Sequence, residues 1–188
     1  MASAPLTHDR LLAASDWQAI FDPDTRIIID PEAVPLQRGD IAPLLDLAPF
    51  GHRASGPPGT VTGDLPPLPE TLATAITDLA TRFAALMRCD TVRVRLEGVT
   101  GNACRKVHAD YTDLRLICTL AGPGTDYTLG DDPDAPLLRV ATGAVALFKG
   151  HMFGPGHSAC LHRSPPIEGS EERRLVLVID TPSRQADG

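Results

Sequence analysis

Residues 104–110 read Cys104-Arg-Lys-Val-His108-Ala-Asp110, and residues 160–166 read Cys160-Leu-His162-Arg-Ser164-Pro-Pro166. These two runs decide the fold. Side chains alternate on an extended chain, so His108 and Asp110, two apart, project from one face and can reach one ion. A third ligand must then come from another strand, and His162, at the end of the short apolar segment 158–162, offers one. Fifty-four residues separate His108 from His162, enough for the hairpins that return a strand beside its starting point. Two histidines and one carboxylate on adjacent strands form the facial arrangement that holds non-haem Fe(II) and leaves coordination positions open.

A strongly apolar strand, Arg173-Arg-Leu-Val-Leu-Val-Ile-Asp180, follows the second run after a turn. The order His-x-Asp, long gap, His, turn and basic strand resembles the prolyl-hydroxylase-like branch of the Fe(II)/2-oxoglutarate oxygenases over roughly residues 92–180. That resemblance implies a cationic side chain on the strand after the distal histidine, pairing with the far carboxylate of 2-oxoglutarate. Arginine suits the task because its fork matches a carboxylate bidentately. Alternation lets only one of Arg173 and Arg174 face inward; Arg173, eleven residues beyond His162, is the expected anchor, at a spacing slightly longer than usual. Ser164 is expected to support the site, its plain alternative being a turn former before Pro165-Pro166.

A closer resemblance is to a bacterial family, domain of unknown function 1826. It is carried by Cys104 to Asp110, by Arg115-Leu-Ile-Cys-Thr-Leu-Ala-Gly-Pro-Gly-Thr-Asp-Tyr127, by Phe148-Lys-Gly150, and by His162-Arg-Ser-Pro-Pro166 with Arg173-Arg-Leu175. It implies an oxygenase-like fold without supplying a reaction. It also implies a link to zinc, since its members are often encoded near zinc-homeostasis genes. Zinc is the competing reading of the residues themselves: Cys104, His108, Cys160 and His162, on matching strand faces, would close a tetrahedral Cys2His2 site with Asp110 beside the ligands. A third reading is a cupin-like small-molecule binder without catalysis.

Composition narrows the partners. The chain has 188 residues, 43% of them hydrophobic, and a formal charge of −7, which suits one domain with a well-buried core. Residues 1–90 are expected to form a helical and irregular support and residues 91–182 the core that carries the site. The acidic balance, without a Lys/Arg cluster, speaks against nucleic acid and against an anionic membrane surface. The expected partner is a small-molecule or protein substrate; the oligomeric state stays open. No apolar run reaches the length of a membrane span, and the first residues lack the pattern of a signal peptide, so a cytoplasmic location is expected. Four scattered cysteines without a C-x-x-C make no disulfide framework.

Along the chain, residues 7–21 suggest an amphipathic helix, 26–30 a buried strand and 40–47 a short helix. His52 to Gly59 reads as a mobile loop, rich in Gly, Pro and Ser. From Pro69 to Cys89 apolar residues recur every three or four positions, which predicts one long helix. Strands follow at 91–97, 115–120 and 140–148, the last with a turn at Gly143, and at 173–180. Many short strands with Pro/Gly turns, no βαβ alternation and helices gathered at the N-terminal side predict an α+β, mainly β fold: a double-stranded β-helix, the jelly-roll of cupins, with its helices packed outside.

Overall fold

The computed structural model describes residues 16–31 and 38–182. The chain is mainly β, built from two antiparallel sheets. Its strands are β1 (Ile27–Asp30), β2 (Phe50–Gly56), β3 (Val92–Val99), β4 (Leu114–Ala121), β5 (Asp126–Tyr127), β6 (Leu138–Arg139), β7 (Val145–Lys149), β8 (His162–Arg163) and β9 (Arg174–Asp180). The major sheet has the order β1-β7-β4-β9-β3-β2 and the minor sheet the order β6-β5-β8. A bridge between His108 and His162 extends the minor sheet by one residue.

Two helices precede the central strands, α1 (Arg38–Asp46) and α2 (Glu70–Met87). α2 buries Leu72, Ile76, Ala80, Phe83, Ala84 and Leu86, the stripe its periodicity predicts. It stops at Arg88, whose left-handed φ of 53° lets the Cys89 amide donate to the Ala84 carbonyl. That stripe packs in one apolar cluster with Val94, Leu96, Leu116, Leu175, Leu177 and Ile179 of the major sheet. The opposite face supplies Ile117, Val176, Val178, Ala146 and Phe148 to a second cluster, with Tyr127, Val140 and Cys160. β9 is therefore buried on both faces, which is why it reads as an unbroken apolar run.

Several expectations need correction. Residues 50–56 are not a loop: they form edge strand β2, paired with β3 from Phe50↔Gly98 to Gly56↔Val92. Only Ala54 of that strand is fully buried, so its sequence shows no apolar alternation and its pairing rests on backbone hydrogen bonds. Residues 104–110 are not a strand either. Cys104 sits in a turn with φ +58°, Arg105 and Lys106 are exposed, and only His108 pairs with a neighbouring strand. Of the helix expected at 7–21, residues 7–15 lie outside the described residues; Trp17–Phe21 is a 3-10 helix capped by the Asp16 side chain. Among the described residues no helix is long and apolar enough to cross a membrane.

Candidate metal centre

His108 and His162 face each other because their segments bridge: each amide donates to the other's carbonyl, at 3.0 and 2.8 Å. Each ring is fixed by its own chain. His108 Nδ1 lies 2.8 Å from the Lys106 carbonyl and His162 Nδ1 lies 3.1 Å from the Cys160 carbonyl. A carbonyl only accepts, so both Nδ1 atoms donate to it, which leaves Nε2 as the ring nitrogen of each histidine that faces the cavity. The two Nε2 atoms turn to Asp110, His108 Nε2 standing 3.6 Å from Oδ1 and His162 Nε2 3.1 Å from Oδ2. One ligand atom from each of the three lies within 4.8 Å of the others. Phe148 packs on the His162 ring, at 4.7 Å between centroids.

The carboxylate is shared unequally. Arg115 Nη1 binds Asp110 Oδ1 at 2.7 Å, and Arg115 is itself gripped by Asp180 through Nε at 2.7 Å and Nη2 at 3.0 Å. Asp110 Oδ2 is buried and accepts no hydrogen bond. Burial alone would raise the Asp110 pKa, but the contacts with His108 and His162 and the charge of Arg115 outweigh it and hold the carboxyl well below the usual range. The His108 pKa is raised, chiefly by its contact with Asp110.

The same cavity is lined by Arg174, Ser164, Thr125 and Cys104, and on its β3 side by Arg95 and Glu97. Arg174 is 1% exposed. Its guanidinium donates to the Pro123 carbonyl at 2.7 Å, to Ser164 Oγ at 2.9 Å, and to Thr119 and Thr125 Oγ1 at 3.3 and 3.4 Å. Among the described residues no carboxylate oxygen stands within 4.0 Å of it; the nearby Asp126 is taken by Arg139 and Arg163. Burial pushes the Arg174 pKa down to about 10. Arg173, the favoured anchor, points the other way, donating to the Leu45 and Asp46 carbonyls of α1. It is Arg174 that faces the cavity.

The structure therefore brings His108, Asp110, His162, Ser164 and Arg174 to one cavity. It does not bring the cysteines into the cluster: Cys104 is exposed, Cys160 is buried with Sγ near the Thr128 carbonyl, and neither joins the histidines in a group of mutually close ligand atoms. Arg115, Asp180, Thr119 and Thr125 were not foreseen. Arg115 and Thr119 share the inward parity of Ile117 on an otherwise apolar strand, and a charge at such a position was the available signal.

Three solved structures of similar shape are a dioxygenase for auxin oxidation from rice (12% identity, TM-score 0.48, covering 73% of this chain and 57% of that one), the Arabidopsis thaliana dioxygenase for auxin oxidation 1 with 2-oxoglutarate (11%, 0.47, 71% and 65%), and full-length Neurospora crassa T7H with alpha-KG (12%, 0.46, 90% and 78%). The chain thus spans less than two thirds of the length of the two plant proteins. No curated protein matches the sequence. Residues 61–180, more than half of the chain, match the family described as protein of unknown function DUF1826, and the chain belongs to that family.

Proposed function

We propose that this protein is a non-haem Fe(II)/2-oxoglutarate-dependent dioxygenase, with His108, Asp110 and His162 as the metal ligands and Arg174, assisted by Ser164, as the anchor of the cosubstrate. The two sheets are read accordingly as a double-stranded β-helix with the site between them. The observation that carries the proposal is a pair of groups in one cavity: a buried carboxylate oxygen that accepts no hydrogen bond, and a buried guanidinium, hydrogen-bonded to neutral oxygens, whose charge no carboxylate balances. Each is costly to leave unpaired. A divalent cation answers the first and a dicarboxylate the second.

The residues fit a metal. Adjacent ligand atoms about 2.1 Å from one ion stand about 3 Å apart, close to the 3.1 Å between His162 Nε2 and Asp110 Oδ2. Nitrogen and carboxylate donors with no thiolate suit Fe(II). When bound there, ferrous iron supplies the oxygen chemistry that couples oxidative decarboxylation of 2-oxoglutarate to oxidation of a second substrate. The chain's own residues do the rest. The Lys106 and Cys160 carbonyls orient the imidazoles, Arg115 holds one oxygen of Asp110 so that the other faces the ion, and Arg174 receives the far carboxylate, with Thr119, Thr125 and Ser164 shaping its setting.

The test is anaerobic addition of Fe(II) and 2-oxoglutarate to metal-free protein. A visible charge-transfer band that needs both is expected, and Arg174→Gln should remove it at 2-oxoglutarate concentrations that saturate wild type. A tightly held zinc that survives dialysis, with no such band, would overturn the oxygenase reading.

A further inference from the structure

The apolar cluster between the sheets draws residues from β1, β7, β4 and β9 and none from β2 or β3. Beyond β9 the inner face of the major sheet becomes charged, β3 placing Arg93, Arg95 and Glu97 on it. Arg93 and Arg95 lie two apart on β3, and Arg95 lines the cavity of the His108–Asp110–His162 cluster. In the register of the sheet Arg53 stands directly opposite Arg95, so the two guanidiniums share that face. Like charges directly opposite on adjacent strands are destabilising. Here the offset falls on Arg95 and not on Arg53. Arg53 makes no ion pair with any described residue, and Arg95 reaches only Glu97 at 3.4 Å and Asp180 at 3.8 Å. Asp180 is already engaged by Arg115 and also faces Arg93 at 3.9 Å.

From this face we infer a substrate subsite for an organic anion, whose carboxylate or phosphate is held between Arg53 and Arg95 while the remainder extends toward the metal centre. A second cleft begins at Arg93 on the same strand and is lined also by Tyr111, Asp113, Met152 and Thr181. Tyr111 is 83% exposed and Met152 46% exposed, and they give the anion's apolar part a surface to lie on. The role as substrate site rests on the oxygenase reading; the binding site itself does not.

Ligand-observed NMR titration of the metal-free full chain, without 2-oxoglutarate, tests the site with phenyl phosphate and benzoate as probes and benzyl alcohol as the uncharged control. At least one anion should bind and the alcohol should not. Arg53→Gln and Arg95→Gln should each weaken binding about tenfold, the loss of one charge-assisted contact, whereas Arg174→Gln should leave it within about twofold. Arg53 is exposed on an edge strand, so its variant keeps the test decisive if Arg95→Gln is unstable. Absence of binding at about 20 mM, wild-type binding by Arg53→Gln, or loss of binding in Arg174→Gln would overturn the subsite. Because these titrations use neither iron nor cosubstrate, their outcome is separate from that of the charge-transfer band.

Discussion

At the scale of single residues the site turns on how Asp110 divides its two oxygens. Oδ1 belongs to Arg115, and Oδ2 is buried and accepts no hydrogen bond. In the proposed metal site Asp110→Ala removes the only charged ligand, so Fe(II) or Zn(II) affinity measured by titration should fall more than the roughly 10–100-fold typical of losing an outer partner. Cys104→Ser and Cys160→Ser should bind metal as wild type does; loss of binding in either would revive the Cys2His2 zinc site. Arg174→Met should abolish the response to 2-oxoglutarate while leaving the unfolding midpoint equal or higher, because replacing a buried charge that lacks a counter-ion removes a desolvation cost. The meeting of His108, Asp110 and His162 agrees with the expectation, but its premise does not: residues 104–110 form no strand, and it is the bridge between His108 and His162 that brings the three side chains together. The anchor was not legible in the sequence. Alternation gives the parity of a strand but not its phase, and β9 conceals the phase: Leu175, Leu177 and Ile179 on one face and Val176 and Val178 on the other are all buried.

Among elements, the end of β7 sets the segment that carries Asp110. Gly150, His151 and Met152 donate their amides to the carbonyls of Asp113, Asp110 and Thr112. A Cβ on Gly150 would collide with the Thr112 carbonyl oxygen and stand 2.8 Å from that of Asp110. Gly150→Ala should therefore lower both the unfolding midpoint and metal affinity, checked by thermal denaturation and titration on one preparation. Its neighbour Lys149 is buried, donating to the Asp22 carbonyl at 2.6 Å and to His157 Nδ1 at 2.9 Å. Burial pushes its pKa from 10.5 down to about 8. Between those values the unfolded chain holds the proton that the folded chain has released, so stability rises with pH across that window. Lys149→Met should flatten this rise between pH 8 and 10, as read from midpoints of urea unfolding. Of the elements, α2 and the three long inner strands were legible because long apolar periods report burial; β2 was not, since a chain edge with one buried Ala54 leaves no period to read.

In the whole molecule the site ties the sheets together. His162 lies on β8 of the minor sheet, Arg115 and Asp180 on β4 and β9 of the major one, and Asp110 joins them through the 108–113 segment. An ion bound by the triad therefore belongs to the folded state alone, because unfolding separates ligands 54 residues apart. Such a ligand stabilises by RT ln(1 + [L]/Kd), about 2.7 kcal/mol at one hundred times Kd. For a chain of this size that corresponds to a midpoint shift of roughly 5–10 °C. Zn(II), which is redox-inert, is the cleaner probe. Wild type should gain this shift and lose it on adding chelator, while His162→Ala should unfold at one temperature with or without the metal. An equal gain in wild type and His162→Ala would place the ion elsewhere on the acidic surface and detach the metal from the architecture that encloses these three residues.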